Sequence, residues 1–101
     1  MVIKTLKEAI EKKKRIEIIY EKSVRIVEPY LVGINEKSHV ALRAFQTGGF
    51  SSSGKLPAWR LFLIDRIEAA QILDEHFEIN SLYNPDDRNM TQILFRVERN
   101  Q

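Results

Sequence analysis

From Arg15 onward the apolar residues of this chain repeat at every second position, which commits most of it to extended structure. Ile16, Ile18 and Tyr20 alternate with Glu17, Ile19 and Glu21, as in a strand with one buried face. Glu21–Ser23 read as a short turn and Val24–Asn35 as a long second strand. Pro29 has no N–H to give a ladder, so this strand is expected to be bent, bulged or at an edge there. Gly33 fits the same curvature, where another backbone approaches closely. After a turn at Asn35–Ser38, strands are predicted at His39–Gln46, Trp59–Ile64 and Arg66–Asp74, with a sixth at Thr91–Val97.

Before Arg15 the period is helical. Leu6, Ala9 and Ile10 predict a helix over 3–14, with Thr5 and Glu8 at capping-box spacing. Lys12, Lys13 and Lys14 then sit at the negative end of its dipole. The fold class is therefore α+β, mainly β with an N-terminal helix. Short strands joined by short turns predict a small five-stranded barrel, because closure removes exposed edges. A domain over 1–77 is expected, with a C-terminal extension over 78–101 that packs on the barrel or on a partner subunit. The segment Thr47–Ala58 holds three of the four glycines and reads as the one long loop.

A chain of 101 residues and 11.8 kDa suits one small domain. Cysteine is absent, which excludes a disulfide framework, thiol catalysis and cysteine-ligated metal. No apolar run approaches the roughly 20 residues of a membrane span, and the N-terminus has no signal core. A cytoplasmic location without a membrane partner follows as the expectation.

The net charge of +2 is mild, but its distribution is not. Lys37 to Ile64 contains no acid, while Lys37, Arg43, Lys55 and Arg60 all fall there. Asp65, Glu68, Asp74, Glu75, Glu78, Asp86 and Asp87 follow, against Arg66 alone, and Arg88, Arg96 and Arg99 make the tail basic. If the central cations converge on one face, they attract an anionic ligand. The alternative is a polar surface whose acids come later in the chain. His39 and His76 belong to no metal-ligand pattern, and no metal or cofactor is expected. Ser51-Ser52-Ser53 has no adjacent base, and Gly48-Gly49 lacks the following helix of a phosphate loop. No catalytic constellation can be assembled, so the chain reads as a non-enzyme.

Arginines and aromatics are interleaved in the strands around the loop. Arg43 shares a face with Ala41 and Phe45, and Arg60 shares one with Phe62 and Ile64, next to Trp59. If these two strands pair through the loop, Arg43 and Arg60 are expected near each other beside aromatic surface. Guanidinium forks bind phosphate and aromatic faces stack bases, which suits a nucleotide or a single strand. The alternative is that Arg60 pairs with Asp65 or Glu68 while Phe62 and Trp59 fill the core.

Arg25-Ile26-Val27-Glu28-Pro29-Tyr30, then Val40-Ala41-Leu42-Arg43-Ala44, then Arg60-Leu61-Phe62-Leu63-Ile64-Asp65-Arg66-Ile67 resemble the WYL domain in order and spacing. The resemblance runs over residues 5–77. The triplet that names the family reads Val40-Ala41-Leu42, so only its leucine is kept. The resemblance implies an Sm-like, SH3-type barrel with an N-terminal helix. It also implies a sensor module of the kind found in bacterial transcription regulators and phage-defence proteins, taking an anionic nucleotide or nucleic-acid ligand. Carried onto this chain, the ligand-binding candidates are Arg25, Arg43, Arg60 and Arg66, with Tyr20, Phe45 and Trp59 as aromatic neighbours. An anion against Arg43, Arg60 and Arg66, with Thr47–Ala58 as an adjustable lid, is the leading expectation. The rival is a structural protein, a homodimerisation or docking unit that meets a second copy or a regulatory partner through the C-terminal strand.

Overall fold

The structure, a computed structural model, describes residues 2–98. Arg99, counted above with the basic tail, lies outside them. The order is α1 (Val2–Lys12), β1 (Lys14–Tyr20), β2 (Ser23–Asn35), β3 (Val40–Gly49), β4 (Ala58–Leu63), a 3-10 turn (Ile64–Arg66), β5 (Ile67–His76) and β6 (Met90–Arg96). The strands form one antiparallel sheet in the order β4-β3-β2-β1-β5, with β6 beside β2. This is a mainly β, α+β fold.

The expected closed barrel does not form. Among the described residues no ladder joins β4 to β5; the 3-10 turn connects them instead, so the sheet is open. The Tyr20 hydroxyl accepts the Leu63 N–H at 3.1 Å, tying β1 to the end of β4 without a strand pair.

The helix begins at Val2, ahead of Thr5, so the Thr5–Glu8 pair lies inside it and is not its cap. It buries Leu6, Ala9 and Ile10 and ends where Lys13 turns left-handed at φ 52°. Glu21 and Lys22 are also left-handed, at φ 50° and 67°, and join β1 to β2 in the two-residue turn whose twist suits a hairpin.

Strand β2 shares its hydrogen bonds with three neighbours. On one edge it pairs with β3 throughout; on the other, Ser23–Val27 pair with β1 and Leu31–Asn35 with β6. Pro29 stands where β1 has left and β6 has not begun, and the β3 register slips between Pro29 and Leu31. The bulge expected from proline is thus present, in an interior strand. At Gly33 a β-carbon would lie 2.6 Å from the Gln92 carbonyl, so β6 can dock only against a bare backbone. Strand β3 continues to Gly49, opposite Arg25, which shortens the expected Thr47–Ala58 loop to 50–57.

The core gathers Leu6 and Ile10 of α1 with Ile16, Ile18, Val27, Leu42 and Phe62 of the sheet. Tyr30 is fully buried, with the rings of Trp59, Phe77 and Tyr83 at 5.0, 5.1 and 4.7 Å. Gly33→Ala is expected to destabilise the protein by about 1–3 kcal/mol in chemical denaturation, the range for overpacking. Lys22→Gly is expected to stabilise it by roughly 0.5–1 kcal/mol, because glycine adopts the positive φ without steric cost.

Candidate functional site

Residues paired across an antiparallel ladder share a face, as do residues two apart on one strand. Arg25 and Val27 are two apart on β2, Val27 pairs with Gln46 of β3, and Ala44 pairs with Arg60 of β4. Arg25, Gln46 and Arg60 therefore share one face. Arg43 pairs with Leu61, and Phe45 with Trp59, on the other. The expectation that Arg43 and Arg60 lie together fails for this reason: register sends their side chains to opposite sides of the sheet.

The four motif arginines have different surroundings. Arg43 donates through Nε to Asp87 Oδ2 at 2.8 Å and through Nη2 to Oδ1 at 3.3 Å, and it also reaches the Asn89 amide oxygen. Asp87 is buried, so this fork neutralises Arg43 inside the protein. Arg66, in the 3-10 turn, pairs at 2.8 Å with Glu21 of the β1–β2 turn, an exposed contact that water screens. Glu28, an acid within the first motif, is held by Arg15 at 2.9 Å rather than by a motif arginine. The hydrogen bonds that Arg15 donates to Glu28 and then to Glu75 raise its pKa above the ordinary value.

Arg25 and Arg60 are different. Among the described residues neither has a carboxylate partner. The Arg25 guanidinium lies against two rings, 5.4 Å from the Tyr20 centroid and 5.2 Å from that of Phe50, a cation–π arrangement. Tyr20 is fixed in turn by Phe62, whose ring meets it edge-on at 4.9 Å. Arg60 Nη2 donates to Ser51 Oγ at 2.8 Å, Ser53 Oγ at 3.2 Å and the Lys55 carbonyl at 3.3 Å. All three acceptors are neutral, so both guanidiniums keep their full charge.

Gln46 lies between these arginines in the register and is fully buried. Its Nε2 donates to the Gly48 and Phe50 carbonyls at 3.0 and 2.7 Å, which fixes the amide and holds down the start of the 50–57 loop. Its Oε1 is buried without a donor, and Arg25 Nε is buried without an acceptor. Buried polar atoms without partners are rare in folded proteins, and here two of opposite kind occur on adjacent strands of one face.

Of the residues expected at the site, the fold thus brings Arg25, Arg60 and Tyr20 to one face and leaves Arg43, Phe45 and Trp59 on the other. Phe45 and Trp59 pack ring against ring at 5.1 Å, and Trp59 also lines a hollow of about 270 Å³ with Arg43, Tyr83, Asp87 and Arg88. Gln46 is not among the residues expected at a site, and Phe50, Ser51 and Ser53 are expected there only as part of the Thr47–Ala58 lid. Gln46 carried a signal: it falls in the same alternation as Leu42 and Ala44, where a polar residue is out of place.

The architecture is one helix on a bent antiparallel sheet, with two guanidiniums that lack carboxylate partners among the described residues near a short loop. A family model describes it further: the chain belongs to the WYL domain family, whose model matches residues 1–72. WYL domains are in general regulatory, ligand-sensing domains rather than catalytic ones. No match was found among curated proteins or among solved structures. No helix of the described residues is long and apolar enough to cross a membrane, and no group of acids and histidines among them is arranged to hold a metal.

The different surroundings predict different stabilities. Asp87→Ala strips Arg43 of its charged partner and is expected to cost about 1.5–3 kcal/mol in urea denaturation. Arg60→Ala, which breaks only neutral contacts to a surface loop, is expected to shift stability by no more than about 0.5 kcal/mol.

Proposed function

We propose that this chain is a sensor module that binds a phosphate-bearing, nucleotide-like ligand on the face carrying Arg25 and Arg60. The observation that carries this reading is the pair of guanidiniums without carboxylates, one of them with its Nε buried and lacking an acceptor. A buried charged donor without an acceptor is unfavourable, and an incoming anion supplies the missing acceptor. The ring of Tyr20 adds aromatic surface on which a base can stack. Family membership supports a regulatory role, and a nucleotide ligand would suit a cytoplasmic location. Arg43 and Arg66 have acids of their own and contribute little to such a site.

Titration of the full chain with 5′-AMP and with a short oligothymidylate, each at two salt concentrations, tests the reading and separates mononucleotide from single strand. Binding is expected to weaken at least tenfold in Arg60→Ala and in Arg25→Ala, and to change less than twofold in Arg66→Ala. Affinity for the oligonucleotide is expected to fall with added salt as counterions are released. Lack of binding by either probe at low salt, or equal binding by the Arg60→Ala protein, refutes the reading.

A second reading has one observation behind it. Among the described residues strand β6 pairs with β2 alone, and its Leu94 is 42% exposed, so its outer edge is open to a strand from a second copy. Sedimentation tests this: a dimer that Leu94→Arg dissociates supports it, and a monomer at all concentrations excludes it.

A further inference from the structure

The segment Phe50–Lys55 lies on the proposed site, and its contacts have a pattern. The Phe50 ring is on the Arg25 guanidinium, 5.2 Å from its centre. The Ser51 and Ser53 hydroxyls and the Lys55 carbonyl take donors of Arg60 at 2.8, 3.2 and 3.3 Å. An aromatic ring on one cation and a set of oxygens on the other are the contacts a nucleotide would make. The segment contributes no charge that opposes the arginines: its only ionisable side chain is Lys55.

We infer that Phe50–Lys55 is an intramolecular competitor, a strap that occupies the arginines until a ligand displaces it. This rests on the reading of Arg25 and Arg60 as the ligand site. A phosphate oxygen makes stronger, charge-assisted hydrogen bonds to a guanidinium than a hydroxyl does, so the exchange favours ligand. The strap is held weakly enough to leave. Its start is fastened by the Phe50 N–H on the Val24 carbonyl at 2.8 Å and the Gln46 amide on the Phe50 carbonyl at 2.7 Å. Beyond Ser51 its other contacts are exposed, with Gly54 closing an internal turn through its N–H on the Ser51 carbonyl at 3.1 Å. The strap is thus ordered in the empty protein and released on binding. A lid that closes over ligand behaves in the opposite sense.

The direction of change separates the two. With 5′-AMP and the oligothymidylate as probes, the double variant Ser51→Ala/Ser53→Ala is expected to bind about five- to tenfold more tightly than the parent, because Arg60 is released beforehand. In the parent, tryptic cleavage after Lys55, whose carbonyl Arg60 holds, is expected to speed up when the probe is saturating. Weaker or unchanged binding by the double variant, or a Lys55 site that becomes more resistant to cleavage, overturns the strap. Binding by neither protein instead refutes the ligand reading on which the strap stands. Both serines lie on the surface loop, and unchanged urea denaturation of the double variant confirms that its fold is intact.

Discussion

The fold depends on how β2 distributes its backbone hydrogen bonds. Each strand has two edges, and β2 divides one of them between β1 and β6. Pro29, which has no donor, falls at the change of partner, where a missing N–H costs least. The slip beside it in the β3 ladder lets the strand bend there. Everything that gives the molecule its shape follows from that division. Strands β1 and β5 continue the sheet in one direction, β3 and β4 in the other, and β6 covers the remaining half-edge where Gly33 admits it.

Register then sorts the arginines. Because a ladder places alternate residues on opposite faces, Arg43 and Arg60 cannot serve one ligand together, although they lie on adjoining strands. Each face resolves its charge differently. Around Arg43 a buried aspartate completes a structural fork, whereas among the described residues Arg60 meets only hydroxyls and a carbonyl and Arg25 meets only rings. The first arrangement keeps the C-terminal segment on the sheet. The second leaves positive charge available, which is why the two arginines carry the functional reading.

Much of this was legible in the sequence. Alternation located all six strands to within a few residues, and Pro29 announced its bulge, because burial of one face and the absence of a donor act locally. The barrel was not legible: closure depends on whether β4 meets β5, a long-range matter that strand lengths do not determine. The loop was overestimated because Gly48 and Gly49 suggest freedom, yet both pair with β2; a β-carbon on Gly49 would collide with the Val24 carbonyl. The carboxylate partners were also hidden. Asp87 reaches Arg43 across 44 positions of sequence, a contact that no spacing rule anticipates. Glu28, beside the motif arginines in the chain, turns instead to Arg15.

Tyr30 shows where the folding unit ends. Two of the three rings around it, Phe77 and Tyr83, come from beyond residue 72, where the family match stops. Its hydroxyl accepts the Asn80 N–H at 2.8 Å, and its carbonyl accepts the Val97 N–H at the same distance. A fragment cut at the recognised boundary would present a bare phenol, an uncovered indole and an unsatisfied half of β2 to water. Grafting this module into another protein therefore requires the chain through Val97, a longer piece than homology alone delimits.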